Sequence, residues 1–319
     1  MNEQQLAAEA VLAARRIGAY VRQTPLDYSS WFSERTGARV WLKLENLQHT
    51  ASFKLRGAFN KLLTLTPEQR QAGCVAASSG NHGAAVAYAM AKLGVQGLVF
   101  VPEQTPSTKL EAIRRAGTEV HRFGTDGLET EKHAREYAAS HGMQYLSPYN
   151  DVDVIAGQGT CGVEIARQLS AIDAIFVAVG GGGLISGVGG YLKSLHPAIE
   201  VIGCQPAASP VMTRSMEAGR IVDMQSRPTL SDGTAGGIEE GAVTFDLCRR
   251  IVDRFLLVSE EEIAAAMRAF IDHHHMLPEG AAGVALAGVL AAGRDFAGRN
   301  VVAIVCGGNI SRETLKEVI

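Results

Sequence analysis

The segment AIFVAVGGGGLISGVGGYLKSL, residues 174–195, joins an apolar strand to a helix through four consecutive glycines. A wholly apolar run is typical of a strand buried in a parallel sheet, and residues 184–195 have the pattern of a helix. Gly180, Gly181, Gly182 and Gly183 let the backbone approach a ligand closely and direct several N–H groups to one point. The start of a helix attracts a phosphate to such a point. A flexible turn without a ligand is the alternative.

The glycine loop matches neither of two common nucleotide-binding motifs. No Gly-Lys-Ser/Thr follows it, which excludes a Walker loop. Gln205 stands where a dinucleotide fingerprint has an acidic residue after the next strand. A non-catalytic nucleotide-binding protein nevertheless remains an alternative function.

Strands and helices alternate along the rest of the chain. Further strands are predicted at residues 40–44, 74–77, 97–101, 119–123, 144–146, 200–205 and 300–305. Further helices are predicted at residues 3–20, 54–66, 83–93, 107–116, 128–140, 157–170, 259–273, 280–293 and 311–318. This alternation predicts an α/β fold with parallel sheets. The chain length, 319 residues, and a loop at 147–153 predict two sheets. Ligands bind where parallel strands pass into helices, so the site is expected at these turns.

Two other strand-to-helix turns carry polar residues. Ser78, Ser79, Gly80, Asn81 and His82 follow a strand, and their hydroxyl and N–H groups suit a carboxylate. Asn81 could instead cap the helix, and His82 is interpreted as structural because it has no evident partner. The last strand ends in CGGN, residues 306–309, where a cysteine either is an inert buried thiol or faces a ligand.

A lysine at the start of a helix is the candidate nucleophile. In KLENLQHTASFKLRGA, residues 43–58, Ser52 is predicted to cap a helix that opens with Phe53 and Lys54. The positive end of the helix dipole lowers the pKa of such a lysine. A lysine of lowered pKa suits Schiff-base chemistry.

Together these segments resemble the pyridoxal-phosphate enzymes of fold type II, in the branch of threonine/serine dehydratases and serine racemase. SFK, SSGNHG, the glycine loop and CGGN occur in the family's order and spacing from about residue 20 onward. IAGQGTCGVEI (155–165) and SDGTAGGIEEG (231–241) also resemble that branch. His82 follows Asn81 where cysteine-synthase relatives have threonine, and Leu55 follows Lys54 where threonine synthases have aspartate.

The resemblance implies a fold and its domains. The expected fold has two parallel-sheet domains of the tryptophan synthase β-subunit-like type. Residues 1–66 and 147–319 would form the large cofactor-binding domain. Residues 67–146 would form a small domain that closes over the substrate.

The resemblance also implies which residues hold the cofactor, pyridoxal 5'-phosphate. Lys54 would bind it as a Schiff base, Phe53 would lie against its ring, and Asn81 would bind the ring's 3-oxygen. Cys306 would face the ring nitrogen, and Glu279 would lie near the cofactor. The phosphate would be held by Gly180, Gly181, Gly182, Gly183 and Leu184.

The expected reaction is β-elimination from a β-hydroxy amino acid, L-threonine or L-serine, to a 2-oxo acid and ammonia. Lys54 would remove the Cα proton. The substrate would be bound by Ser78, Ser79, Gly80, His82 and Gly237. An amino acid racemase is the alternative, with Ser79 as second acid/base, as is dehydration of 3-hydroxyaspartate, phenylserine or a hydroxyectoine catabolite. Glu239 and Glu240 would disfavour an acidic substrate if one of them faces inward.

Composition and two departures from the family bound the remaining possibilities. A net charge of −3 favours neither nucleic acid nor membrane as a partner. Five dispersed cysteines and no signal peptide predict a cytoplasmic protein, and a homodimer or homo-oligomer is expected by resemblance.

The carboxylates of metal-dependent members are missing at 205–211, so no metal site is predicted. Ala51 replaces the glycine usual before SFK. Thirty-five glycines, about 11% of the chain, are interpreted as loops wrapped around ligands.

Overall fold

The computed structural model describes residues 3–319, apart from the side chains at positions 3, 108, 109 and 112. The strands are β1 (Leu26–Tyr28), β2 (Arg39–Leu44), β3 (Cys74–Ala77), β4 (Gly97–Val101), β5 (Glu119–Arg122), β6 (Gln144–Tyr145), β7 (Ala174–Ala178), β8 (Glu200–Pro206), β9 (Arg254–Val258) and β10 (Asn300–Val305). The helices of the first half are α1 (Glu3–Ile17), α2 (Ser30–Thr36), α3 (Lys54–Thr64), α4 (Pro67–Ala72), α5 (Asn81–Leu93), α6 (Ser107–Arg115) and α7 (Gly127–Ser140). Those of the second half are α8 (Val152–Gln168), α9 (Gly183–Leu195), α10 (Val211–Ala218), α11 (Val243–Ile251), α12 (Glu260–His274), α13 (Gly280–Ala292) and α14 (Arg312–Val318).

The strands form two sheets, as the alternation predicts. The larger has the order β1-β2-β10-β7-β8-β9, with only β1 antiparallel to its neighbour. The smaller has the order β5-β4-β3-β6 and is parallel throughout. The prediction of an α/β fold with two parallel sheets is therefore confirmed.

The core lies against the central strands of the larger sheet. Every residue of β7 is buried, and so is every residue of β10 except the first. Helix α13 packs on β10, β7 and β8, and α9 packs on β7 and β8. This burial explains why both strands read as continuous apolar runs rather than alternating ones. No helix within residues 3–319 is long and apolar enough to cross a lipid bilayer.

Two strands, four helices and several helix ends differ from the sequence prediction. Helices α2, α4, α10 and α11 were not predicted, and each is nine residues or shorter. Strands β1 and β9 were not predicted, because they are short and most of their residues are partly exposed. Helix α8 begins five residues earlier than predicted, because the Asp151 side chain caps it by accepting from the N–H groups of Asp153 and Val154.

Many glycines serve helix packing rather than ligand loops, which corrects the interpretation of the glycine surplus. A Cβ added to Gly157 would lie 2.6 Å from Cα of Gly57, so α8 and α3 touch through their backbones. A Cβ added to Gly187 would lie 2.6 Å from the backbone nitrogen of Gly159, so α9 and α8 touch in the same way. Since these contacts leave no space for a side chain, these glycines set helix spacing.

Candidate active site

The residues predicted for the site all line one cleft, to which loops of both sheets contribute. Its volume is about 3070 Å³, well above the roughly 300–1,000 Å³ of most small-molecule sites. The predicted residues in its lining are Phe53, Lys54, Ser78, Ser79, Gly80, Asn81, His82, Gly180, Gly181, Gly182, Gly183, Leu184, Gly237, Glu279 and Cys306. The structure thus brings them together, while their individual roles stay predictions.

Lys54 is the first residue of α3 and points into this cleft. Its Nζ donates to the carbonyl oxygen of Pro148 at 2.9 Å. Removal of the ammonium group from water lowers the pKa of Lys54 to about 8, although the nearby Glu279 carboxyl acts in the opposite direction. Burial is thus the main cause of the lowered pKa, whereas the sequence had indicated the helix dipole.

The start of α3 differs from the prediction at Ser52. The residue before the helix is Phe53, which has helical backbone angles, and no side chain caps the helix. Ser52 instead forms a backbone bridge with Gly307, and its buried Oγ has no hydrogen-bond partner within residues 3–319. The bridge ties the lysine loop to the end of β10, because the Phe53 N–H also donates to the Cys306 carbonyl oxygen at 3.1 Å.

Ala51 adopts φ of 54°, in the left-handed region that favours glycine. We expect Ala51→Gly to raise the free energy of unfolding by up to about 1 kcal/mol, because relief of roughly 1–2 kcal/mol of backbone strain exceeds the added freedom of the unfolded chain. Urea unfolding at constant cofactor concentration measures this change. Ala91→Gly, in the exposed part of α5, is the matched control and should lower stability by about 1 kcal/mol. Equal losses in both variants would contradict the strain at Ala51.

The glycine loop forms a cradle that side chains would fill. Gly182 has φ of 85°, which a residue with a side chain rarely adopts. A Cβ on Gly181 would lie 2.4 Å from the ring of Tyr149. Within the described residues, the N–H groups of Gly180, Gly181 and Gly182 have no backbone acceptor, and α9 begins directly after them. Free N–H groups at a helix start fit a phosphate, as the sequence predicts.

Asn81 does not cap α5, so that alternative is wrong. The preceding residue is Gly80, and no side chain caps the helix. The Asn81 Nδ2 donates to both carboxyl oxygens of Glu279 at 2.8 Å, and its Oδ1 accepts from Asn309 Nδ2 at 2.6 Å. Asn81 therefore faces the cleft with its amide oriented by side chains from the larger sheet's loops.

His82 is buried, as its structural interpretation expects. Its Nε2 lies 2.8 Å from the Leu146 carbonyl oxygen, so this nitrogen carries the proton. Burial and the charge of Lys54 lower the pKa of His82 to about 3. A neutral ring that holds a backbone carbonyl fixes the 78–82 loop and is a poor proton shuttle near neutral pH.

Cys306 stands at the end of β10 and is buried in the cleft wall. Its Sγ lies 4.0 Å from Glu279 Oε1. Burial and the nearby Glu279 raise the pKa of the thiol well above its ordinary value, so Cys306 is a neutral thiol. It can face a ligand nitrogen without placing a negative charge there.

The sequence did not reveal a group of residues across the mouth of the cleft. Arg135 of α7 pairs with Glu239, at 2.6 Å, and with Glu131, at 2.9 Å. The hydroxyl of Tyr149 accepts from the Glu239 N–H at 2.9 Å. Glu239 therefore lines the cleft but is neutralised by Arg135. Pairing between distant segments leaves no local pattern, and only the position of Tyr149 within the 147–153 loop could have indicated it.

Gln205 has a structural use where metal-dependent relatives are expected to carry a carboxylate. Its Nε2 donates to the Val179 carbonyl oxygen at 3.0 Å, and its Oε1 accepts from the N–H and hydroxyl of Thr213, both at 2.8 Å. Within residues 3–319, no group of three His, Cys, Asp or Glu side chains could hold a metal ion. The metal prediction stays a prediction.

Comparisons with known proteins agree with this geometry. The family model described as pyridoxal-phosphate dependent enzyme matches residues 17–307. The L-threonine ammonia-lyase of Thermotoga maritima is 40% identical over 307 residues, which are 96% of this chain and 76% of that protein. The processed form of threonine deaminase isoform 2 from Solanum lycopersicum superposes with a TM-score of 0.94 at 34% identity, covering 100% of this chain and 93% of that one. Serine racemase from Dictyostelium discoideum superposes with a TM-score of 0.88 at 34% identity, covering 96% and 98%.

The residues in the cleft fit this family's cofactor. An amine of lowered pKa lies in the same cleft as a glycine loop with free N–H groups and a loop of small hydroxyl residues. These groups suit the aldehyde and the phosphate of pyridoxal phosphate and the carboxylate of an amino acid. The fold type II architecture is likewise confirmed by the superposition on the tomato enzyme. With the family model matching most of its length, the chain belongs to the pyridoxal-phosphate dependent enzymes.

Proposed function

We propose that this enzyme eliminates water from a β-hydroxy amino acid, L-threonine or L-serine, and that the dehydrated product then takes up water and releases a 2-oxo acid and ammonia. The observation that carries the proposal is Lys54, whose lowered pKa makes its amine available as a base. With a pKa of about 8, about one lysine in ten is neutral at pH 7. Relatives named threonine ammonia-lyase and threonine deaminase support the choice of substrate.

Bound pyridoxal phosphate supplies the electron sink that weakens the bonds at Cα. The chain's own residues hold and orient the cofactor and the substrate. The backbone of Gly180, Gly181 and Gly182 binds the phosphate group. Ser78 and the N-terminus of α5 bind the substrate carboxylate, since N–H groups at a helix start attract anions. Lys54 accepts the Cα proton at its Nζ, and Cys306 keeps the ring-nitrogen side of the site uncharged.

A substrate panel tests the proposed reaction. Purified enzyme should be yellow and should form 2-oxo acid and ammonia from L-threonine and L-serine. L-alanine, which has no β leaving group, is the control and should give neither product. 3-Hydroxyaspartate and phenylserine complete the panel, because faster turnover of either would show that the enzyme prefers a different β-hydroxy amino acid. A colourless protein that stays colourless after addition of pyridoxal phosphate would favour a non-catalytic nucleotide-binding protein.

Racemisation is a second candidate function, because Ser79 and Lys54 line the same cleft and a serine racemase shares the fold. A racemase needs an acid/base on each face of the substrate, and Ser79 is the candidate partner of Lys54. We expect Ser79→Ala to abolish formation of D-serine from L-serine while 2-oxo acid formation stays within about tenfold, because Lys54 alone supports elimination. Chiral chromatography and a 2-oxo acid assay measure the two products.

Ser78→Ala is the matched control for Ser79→Ala. It should lower both activities together, since Ser78 is assigned to binding alone. If wild-type enzyme forms no D-serine, the racemase candidate is excluded. If both serine variants lose both activities equally, Ser79 has no separate role.

We also propose that residues 67–146 act as a small domain that closes over the substrate, since the cleft is larger than an amino acid requires. We further propose that the enzyme is a homodimer or homo-oligomer in the cytoplasm. The five cysteines are free and buried, which suits a reducing compartment. Light scattering after size exclusion measures the subunit number, and scattering profiles with and without substrate measure closure.

A further inference from the structure

The Glu279 carboxyl lies where three loops of the site meet. Glu279 directly precedes α13, yet its side chain does not cap that helix. Both carboxyl oxygens instead accept from Asn81 Nδ2 at 2.8 Å, and Oε2 also accepts from the Asn309 N–H at 3.2 Å. The side chain is almost fully buried, with 5% of the residue exposed. A buried carboxyl with this many donors is held in one place.

The CGGN loop is shaped around this carboxyl. A Cβ on Gly307 would lie 2.5 Å from the carboxyl carbon and from both oxygens of Glu279. The Glu279 N–H also donates to the Gly307 carbonyl oxygen at 2.9 Å. Gly307 does not have a positive φ, so its backbone conformation does not require glycine. Glycine is required there because the Glu279 carboxyl occupies the space of a side chain.

The same contacts fix the direction of the Asn81 amide. Its Nδ2 is engaged by Glu279, and its Oδ1 accepts from Asn309 Nδ2, which also donates to the Thr50 carbonyl oxygen at 2.9 Å. An exchange of the amide's oxygen and nitrogen would place its nitrogen against Asn309 Nδ2, donor against donor, and its oxygen against the Glu279 carboxyl, so the observed orientation is favoured. An amide nitrogen carries two hydrogens, so when one of them bridges both Glu279 oxygens the other is left for a ligand in the cleft.

The pKa of Glu279 lies close to neutral pH. Burial raises its pKa to about 7, and Asp232 adds to this effect, while hydrogen bonds from Asn81 and Asn309 and the charge of Lys54 act in the opposite direction. The carboxyl is therefore partly protonated near neutral pH. A glutamine, which resembles the neutral form, should keep most of its contacts.

We propose that Glu279 is a positioning residue of the cofactor site, which acts by orienting the Asn81 amide rather than by contacting the cofactor itself. The inference rests on the proposed function, together with the expectation from the family resemblance that Asn81 binds the cofactor ring. It refines the prediction that Glu279 binds the cofactor. If so, Glu279 and Asn81 act together as one unit, and the loss of either side chain removes the same contribution to cofactor binding.

A double-mutant cycle on the purified enzyme tests this unit. The readouts are the dissociation constant for pyridoxal phosphate, by equilibrium dialysis, and the absorption band of the bound cofactor. We expect E279A to raise the dissociation constant about tenfold, N81A to raise it by a similar factor, and N81A/E279A to match N81A alone. E279Q should stay within about threefold of wild type and keep the absorption band, because it retains an acceptor for Asn81. If Glu279 only stabilised the fold, the effects of E279A and N81A on cofactor binding would not be coupled in this way.

The opposite results are equally clear. If the two factors multiply in the double variant, or if E279A leaves the dissociation constant unchanged, the inference is wrong. E279D keeps the charge but shortens the side chain, so it replaces E279A in the cycle if the latter does not fold. If the wild-type enzyme binds pyridoxal phosphate but turns over no β-hydroxy amino acid, the proposed function fails while the cycle still decides the inference.

Discussion

Replacement of Lys54 by alanine is expected to lower kcat/KM for L-threonine by about a thousandfold or more. In the proposed mechanism Lys54 both anchors the cofactor and accepts the Cα proton, so the variant would lose both roles, and a positioned base alone contributes about 10²–10⁴-fold. The lowered pKa of Lys54, about 8, indicates that its environment favours the neutral amine. Steady-state formation of 2-oxo acid measures the loss.

Borohydride treatment gives an independent readout of the same variant. Reduction should attach the cofactor covalently to the wild-type chain at Lys54 and leave Lys54→Ala unlabelled, as peptide mass spectrometry would show. Lys61→Ala is the matched control, because Lys61 lies on the same helix but pairs with Asp151 and Asp153 instead of facing the cleft. Added ethylamine should restore part of the activity of Lys54→Ala. Full activity in Lys54→Ala, or labelling at another lysine, would show that a different residue carries the chemistry.

Replacement of Arg56 by methionine is expected to lower the free energy of unfolding by about 3–5 kcal/mol, because it leaves buried Glu45 without its ion-pair partner and Glu164 with Lys43 alone. Arg56 is fully buried two residues after Lys54. Its guanidinium binds both oxygens of Glu45, at 2.7 Å each, and both oxygens of Glu164, at 2.7 and 2.9 Å. Lys43 also reaches Glu164, at 2.6 Å, so two cations balance two carboxylates. Urea unfolding at constant cofactor concentration measures the change.

The pH dependence gives the Arg56 prediction a second readout. Burial alone would raise the pKa of Glu45, but the charge and hydrogen bonds of Arg56, together with Lys43 and Thr24, outweigh it and lower the pKa. The stability from this carboxylate is therefore present above its ordinary value of about 4.5 and is lost as pH falls through the lowered pKa. The gap between wild type and Arg56→Met should narrow in that acid range.

The control for Arg56→Met is Arg214→Met, which breaks an exposed pair with Glu217. It should change stability by less than about 1 kcal/mol. Equal losses in the two variants would mean that the buried pairs contribute no more than a surface pair.

The architecture and the location of the site were predictable because their signals are local. Strand β7 is apolar over its whole length, and the glycine loop and CGGN directly follow strands. Since the carboxyl ends of parallel strands share one edge of a sheet, motifs far apart in sequence meet in one cleft. The weakly buried β1 and β9 carry no such pattern.

The partners of individual side chains could not be predicted. Ser52 and Asn81 have the residue type and position of helix caps, but long-range contacts with the CGGN loop and Glu279 determine their roles. The pairs Arg135–Glu239 and Arg56–Glu164 likewise join residues about one hundred positions apart. Such contacts depend on how the sheets and helices pack, which no local pattern encodes.

The backbone contact between Gly57 and Gly157 has a consequence for protein engineering. Both glycines belong to motifs, SFKLRGA and IAGQGT, that look functional when sequences are compared. Neither is part of the cleft lining, and both are buried where α3 and α8 touch. A mutational library that randomises these motifs in search of new substrates would lose most members to misfolding at these two sites. Keeping both glycines fixed, together with Asn81 and His82, and varying residues 78–80 would concentrate the diversity at positions that line the cleft.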